Sequence, residues 1–265
     1  MTSRIQAFHR LHEHGCFVIP NPWDAGSARY LEHLGFRALA STSAGFAWTQ
    51  GRPDNRVSVE ALLAHLTSLA AAVSIPVAAD FEDGLAPDPE GVARNVALAV
   101  RTGIAGLSIE DSTRNEPEPL YDLGRAVDRI RAARQAIDRS GTGALLTARC
   151  ESYLVGKPDL QSTITRLKAY AEAGADCLFA PGLSTREDVA AVVAAVAPKP
   201  VNLIVVSPWI TVAEAEAIGV RRISVGGALA RAAWRGFHNA ASEILSNGTF
   251  GGFTGPRLDL DRIFG

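Results

Sequence analysis

The chain predicts a (β/α)8 TIM-type barrel, and three observations carry that prediction. Eight short runs are apolar throughout instead of alternating, as strands buried on both faces are. A helix-like stretch follows each run, the repeat of a parallel sheet with crossover helices. The 265 residues suit one such barrel, and no Gly-x-Gly-x-x-Gly turn follows the first run, which counts against a doubly wound sheet.

The predicted strands are Cys16–Pro20, Arg37–Ser43, Ile75–Asp80, Ile104–Ile109, Ala144–Arg149, Asp176–Ala180, Pro200–Val206 and Arg222–Val225. Between them, Val92, Val96 and Val100 recur at helical spacing, as do Leu123, Val127, Ile130 and Ile137. Helix starts are signalled by Ser58, by Asp88-Pro89, and by the capping boxes Ser184-x-x-Glu187 and Thr211-x-x-Glu214. Gly35, Gly103, Gly174 and Gly219 stand where helices end before the next strand. No linker interrupts this order, so residues 1–265 read as one barrel domain with a C-terminal helical tail. That tail is Gly-rich and then apolar over Leu258–Phe264, suited to docking on its own barrel or on a neighbouring subunit.

Composition narrows the function. A formal charge of −2 provides no basic footprint for nucleic acid and no polybasic membrane patch. No apolar run reaches the ~20 residues that span a bilayer, and the polar start does not read as a signal peptide. Three widely spaced cysteines, Cys16, Cys150 and Cys177, suit a reducing compartment. A cytoplasmic enzyme acting on a small molecule, with no nucleic-acid or membrane partner, is the expectation.

In a barrel of this type the strand carboxyl ends converge on one rim. Those of the second to fifth runs read Thr42-Ser43, Asp80-Phe81-Glu82-Asp83, Glu110-Asp111 and Arg149-Cys150-Glu151. Carboxylates crowded at neighbouring strand ends repel and raise one another's pKa unless a cation neutralises them. Oxygen-only donors suit Mg²⁺, with Mn²⁺ as the substitute, and the six histidines all fall away from these ends. Asp83 and Asp111 have the alternative role of helix N-caps. Arg149 suits a substrate carboxylate or a developing enolate; its alternative is an ion pair positioning Glu110 or Glu82. The small residues Thr42, Ser43 and Ala44 suit an anion-binding turn, and Val225-Gly226-Gly227-Ala228 suits either phosphate binding or tight packing. Asp54 lies in the loop after the second run, where a turn residue is the alternative.

Taken as an ordered set, these motifs resemble the isocitrate lyase/phosphoenolpyruvate mutase superfamily. They are Asn21-Pro22-Trp23-Asp24, Thr42-Ser43, Gly51-x-Pro53-Asp54, Asp80-x-Glu82-x-Gly84, Gly106-x-x-Ile109-Glu110-Asp111, Ala148-Arg149 and Ala171-x-Ala173-Gly174-Ala175-Asp176. The resemblance implies a barrel whose eighth helix is exchanged between subunits of a homodimer or homotetramer. It implies direct Mg²⁺ binding by Asp80, with Glu82, Glu110 and Asp54 acting mostly through water. It also implies that Thr42, Ser43, Ala44 and Asp80, with Arg149 alongside, hold a 2-oxo acid or dicarboxylate. Chemistry through a pyruvate enolate would then involve Arg149, Glu110, Asp54 and Glu151.

Two departures matter. The lyases' Cys-Gly-His loop is replaced by Ser112-Thr113-Arg114-Asn115-Glu116-Pro117-Glu118-Pro119, which also lacks the mutase pattern, and Glu82 stands where an aspartate is usual. Isocitrate and methylisocitrate cleavage are therefore disfavoured, and the dedicated acid is missing, with Glu151 and Tyr153 as substitutes. The leading expectation is a Mg²⁺-dependent lyase or decarboxylase cleaving a C–C bond next to a 2-oxo acid. The alternatives are P–C chemistry of the phosphoenolpyruvate mutase or phosphonopyruvate hydrolase kind, and a non-catalytic metal-dependent 2-oxo acid binding protein.

Overall fold

The computed structural model describes residues 3–265. Helix α1 (Arg4–Leu11) precedes β1 (Phe17–Ile19), followed by α2 (Ala25–His33), β2 (Leu39–Ala40), α3 (Ser43–Thr49) and α4 (Val59–Ala72). Then come β3 (Val77–Asp80), α5 (Pro89–Ala99), β4 (Gly106–Glu110), α6 (Leu123–Ser140), β5 (Leu145–Arg149) and α7 (Leu160–Glu172). The chain continues through β6 (Cys177–Phe179), α8 (Arg186–Val196), β7 (Val201–Ile204), α9 (Val212–Ala217), β8 (Arg222–Ser224), α10 (Ala228–Asn247) and α11 (Leu260–Phe264).

All eight strands pair in parallel in the order β1-β8-β7-β6-β5-β4-β3-β2. The remaining seam, between β1 and β2, is bridged by Ala40 N–H donating to Pro20 C=O at 3.1 Å, so the sheet curls into a nearly closed barrel. Each predicted strand is present, trimmed at one or both ends, and the fourth runs one residue past its predicted end, to Glu110. The largest trimming is at the second, where Thr42 already caps α3: its Oγ1 accepts from Gly45 N–H at 3.2 Å. The caps at Ser58 and Asp88 and the Thr211/Glu214 box form as read. The other box does not, because Thr185 rather than Ser184 caps α8.

Barrel interiors are ordinarily filled by layers of bulky side chains. Here the floor is plugged: Phe8 of α1 is fully buried, and a Cβ added at Gly106 would lie 2.9 Å from its ring. Above that floor the wall carries small residues, among them Ala40, Ala78, Ser108, Thr147 and Ser224, and a cavity of about 210 Å³ runs between them toward the rim. Small side chains in the middle of the barrel are the physical cause of that space.

The C-terminal tail folds back on its own chain, with Arg29 of α2 lying 5.6 Å over the Phe264 ring. Along α10, Trp234, Phe237 and Leu245 remain exposed. Among the described residues no helix is long and apolar enough to cross a membrane.

Candidate active site

The cavity opens at the carboxyl ends of the strands, and its wall includes Thr42, Ser43, Ala44, Asp54, Asp80 and Arg149. Asp80 is held from three sides. Its N–H donates to Ser41 Oγ at 2.9 Å, its Oδ2 accepts from Ser43 N–H at 3.1 Å, and its Oδ1 accepts from Arg149 Nη1 at 2.8 Å. One backbone amide of the predicted anion-binding turn is thus engaged by Asp80. Asp54 reaches the cavity mouth from the exposed loop after α3.

Arg149 forms ion pairs with Asp80 at 2.8 Å, Glu151 at 3.0 Å and Glu110 at 3.3 Å, and its guanidinium lies 5.1 Å from the Phe179 ring centroid. Burial alone would lower its pKa, but Glu151, Glu110 and Asp80 outweigh that and raise it. Glu110 and Glu151 are buried in turn, and desolvation lifts both carboxyls above their ordinary range against the pull of Arg149. Both sit behind Arg149 rather than on the cavity wall, so their direct effect is to orient the guanidinium. Glu82 is not among its partners.

A second guanidinium, which the sequence reading did not single out, enters from the divergent loop. Arg114 Nη2 lies 2.7 Å from Glu82, 3.4 Å from Asp83 and 3.7 Å from Glu110. The loop is a tight hairpin: Ser112 bridges Leu120, and Thr113 N–H donates to Pro119 C=O at 2.9 Å. Arg114 and Glu82 both have left-handed backbones, with φ of 58° and 52°, a conformation costing roughly 1–2 kcal/mol for an L residue. Their ion pair joins the two strained positions. The available signal was that Arg114 is the single basic residue among eight in that loop.

Burial pushes the Glu82 carboxyl up to about 7; Arg114 opposes this, and Asp80, Asp54 and Asp83 add to it. Its buried Oε2 meets Arg114 Nη2 at 2.7 Å and has no other partner among the described residues, which leaves a second lone pair for a donor such as water. Among the described residues no three His, Cys, Asp or Glu side chains converge into a set ready to hold an ion. The two arginines account for that, since they already draw these carboxylates toward themselves. The donors are nevertheless all carboxylate oxygens, with the open Glu82 Oε2 among them, and that chemistry fits Mg²⁺ or Mn²⁺.

Other predicted features resolve toward structural roles. Asp83 and Asp111 cap no helix: Asp88 and Asp122 do. Asp83 accepts from Leu85 N–H at 3.0 Å and faces buried Arg129, while Asp111 accepts from Glu151 N–H at 2.8 Å and Tyr170 Oη at 2.6 Å. Asn21 Oδ1 accepts from both Val225 and Gly226 N–H at 2.9 Å, so those amides of the glycine turn hold the β1 loop rather than a phosphate. Tyr153 packs over Gly182, outside the cavity. Cys150 is buried, its thiol pushed up to about 12 by desolvation and then by Asp111, and it faces Ser152.

Comparison with known proteins agrees with the geometry. The chain is 46% identical to a Burkholderia cenocepacia protein assigned only by class, as a lyase/mutase; its crystal structure superposes with a TM-score of 0.95 over 98% of this chain and 96% of that one. An uncharacterised protein of Mycobacterium tuberculosis is 35% identical over 83% of this chain and 81% of its own. Oxaloacetate acetylhydrolase, in complex with its product oxalate, is 29% identical with a TM-score of 0.88, over 99% of this chain and 94% of that one. Other relatives include 2-methylisocitrate lyases, oxaloacetate decarboxylases and a 2,3-dimethylmalate lyase. A family model matches residues 8–245, and the chain belongs to that family, the phosphoenolpyruvate phosphomutase family.

Proposed function

We propose that the protein is a Mg²⁺-dependent lyase or decarboxylase that cleaves a C–C bond next to a 2-oxo acid, through pyruvate-enolate chemistry, in a small di- or tricarboxylate. The observation that carries this reading is the Asp80–Arg149 ion pair at the mouth of a hollow barrel, beside the Thr42–Ala44 turn. A divalent cation held by Asp80, with Glu82, Glu110 and Asp54 reached through water, would supply Lewis-acid polarisation of the substrate's oxo group. The chain's own residues do the rest. Thr42, Ser43 and Ala44 line the place for the 2-oxo acid end, and Arg149 sets a fixed positive charge beside it. Glu110 and Glu151 keep that guanidinium in place.

The divergent loop favours this reading over P–C chemistry. Residues 112–120 close on themselves through backbone hydrogen bonds and send Arg114, not an acid, toward the site. With the loop cysteine absent, Tyr153 off the cavity and Glu151 paired behind Arg149, water is the proton donor, which a decarboxylation or retro-aldol product tolerates. The same reading takes the chain as a homodimer or homotetramer in the cytoplasm, with α10 laid on a neighbouring barrel; the exposed Trp234, Phe237 and Leu245 support it. Light scattering on the purified protein should return two or four chains, and a monomer at micromolar concentration would refute that assembly.

The function is tested by pyruvate release from oxaloacetate, alkylated malates, 2-methylisocitrate and phosphonopyruvate, with Mg²⁺ and with EDTA. Metal-dependent pyruvate from one carbon acid is the expected result, and Asp80→Ala should lower it about 100-fold or more. Turnover unchanged by Asp80→Ala would sink the assignment. Release of phosphate from phosphonopyruvate alone would move it to P–C chemistry. Tight oxalate binding without any turnover would make the chain a 2-oxo acid binding protein.

A further inference from the structure

The cavity ends on a second arginine. Arg222, the first residue of β8, is 6% exposed and forms part of the cavity wall. Its hydrogen bonds all go to neutral groups: Nε donates to Asn202 Oδ1 at 2.8 Å, Nη2 to Thr147 Oγ1 at 3.0 Å, and Nη1 to His12 Nε2 at 3.2 Å. The histidine is an acceptor here, because its Nδ1 lies 2.8 Å from the Phe8 carbonyl and so must carry the hydrogen. Burial and then Arg222 push His12 down to about 3, so the imidazole stays neutral. Burial lowers the pKa of Arg222 itself; the buried Cys177 thiol acts against that, and no carboxylate among the described residues does.

A guanidinium has five N–H donors, and the three acceptors named leave two without a partner among the described residues. A buried charge left without a counter-charge is strongly unfavourable. Water or an anion entering the cavity is the available relief, and the walls between rim and floor are small or hydroxylated, among them Ala40, Ala78, Ser108 and Thr147. Thr147, which Arg222 touches, lies two residues below Arg149 on β5, so the backbone positions that carry the two contacts are roughly 7 Å apart along the strand. That is the reach of a short diacid.

Building on the proposed function, we infer that Arg222 is the anion-binding floor of the reaction cavity. It receives the second carboxylate of a dicarboxylic oxo acid whose 2-oxo acid end is held at the rim. The substrate class is thereby a dianion extended down the barrel axis.

Calorimetry on the full chain with Mg²⁺ tests this using three probes: 2-oxoglutarate, 2-oxopentanoate, which replaces the distal carboxylate by a methyl group, and oxalate, which reaches only the rim. The wild type should bind 2-oxoglutarate about tenfold more tightly than 2-oxopentanoate. Asn202→Asp sets a carboxylate against Arg222 Nε without removing the arginine, and should abolish that preference while leaving oxalate affinity unchanged. Arg222→Met should do the same where it folds; Asn202→Asp, which adds a counter-charge, carries the test otherwise. A wild-type preference that survives Asn202→Asp, or no preference at all while oxalate binds, overturns the inference and leaves the proposed function standing. Failure of oxalate itself to bind overturns the rim assignment, and the inference falls with it.

Discussion

Two buried arginines mark the two ends of one cavity, and their surroundings are opposite. Arg149 at the rim has three carboxylates within 3.3 Å; Arg222 at the floor has an amide, a hydroxyl and a neutral imidazole. Burial works against the charge in both cases, yet the pKa of Arg149 rises and that of Arg222 falls. The rim guanidinium is therefore a structural counter-charge, fixed by its acids and fixing them. Of the two, the floor guanidinium has no acid beside it among the described residues, so sequence proximity to the acid motifs is a poor guide to which arginine an anionic substrate sees most strongly.

The comparison breaks most sharply on stability. Arg149→Met leaves Asp80 and Glu151 without their cation and Glu110 with only the longer contact to Arg114, and loss of one partner from a buried pair costs about 3–5 kcal/mol. Arg222→Met removes three neutral hydrogen bonds but also relieves an unpaired buried charge, so its cost should stay below about 2 kcal/mol. Urea denaturation of the two variants reads the difference directly. Equal losses would mean that Arg222 is a structural strut of the same kind as Arg149.

A smaller effect concerns Arg114, which shares Glu82 and Glu110 with the proposed cation. Removing that competitor by Arg114→Gln should tighten Mg²⁺ binding about tenfold, read by calorimetry in the absence of substrate. Unchanged or weaker binding would show that Arg114 leaves the acids at no cost, or that the ion sits elsewhere.

The smallest expected effect is in pH dependence. Glu82 titrates near 7 in the folded chain against an ordinary value of 4.5. Between those values the folded protein holds a proton that the unfolded chain has released, so stability in EDTA should fall as pH rises through that window. Mg²⁺, which competes with the same proton, should bind more tightly over the same rise and level off above 7. Melting curves with and without the metal check both signs, and a flat profile in EDTA would mean that Arg114 already holds Glu82 ionised.

Much of this molecule is legible before folding. Continuously apolar strands and the turn chemistry at Ser58, Asp88 and Thr211 depend on local physics, and they form as read. Where the boundary depended on a competition between neighbours, the sequence was ambiguous: Ser184 and Thr185 are both competent caps, and the backbone chose the second. Likewise the second run reads as strand through Ser43, and the short side chain of Thr42 bonding back to Gly45 turns that end into a helix cap.

For the site, the residue types at the strand ends were visible, because parallel strands in a barrel must bring their carboxyl ends together. From the sequence by itself came the barrel, the oxygen-rich rim at Asp80, Glu82 and Glu110, and Arg149 beside it. Only the tertiary structure decided which charges are matched. Arg114 reaches Glu82 across a hairpin thirty-two positions away in sequence, and the guanidinium of Arg222 shares no acid because Asn202, Thr147 and His12 happen to surround it. Charge pairing in a low-dielectric interior falls off within a few ångströms, and distances on that scale between remote residues are set by register and packing, which no local pattern encodes.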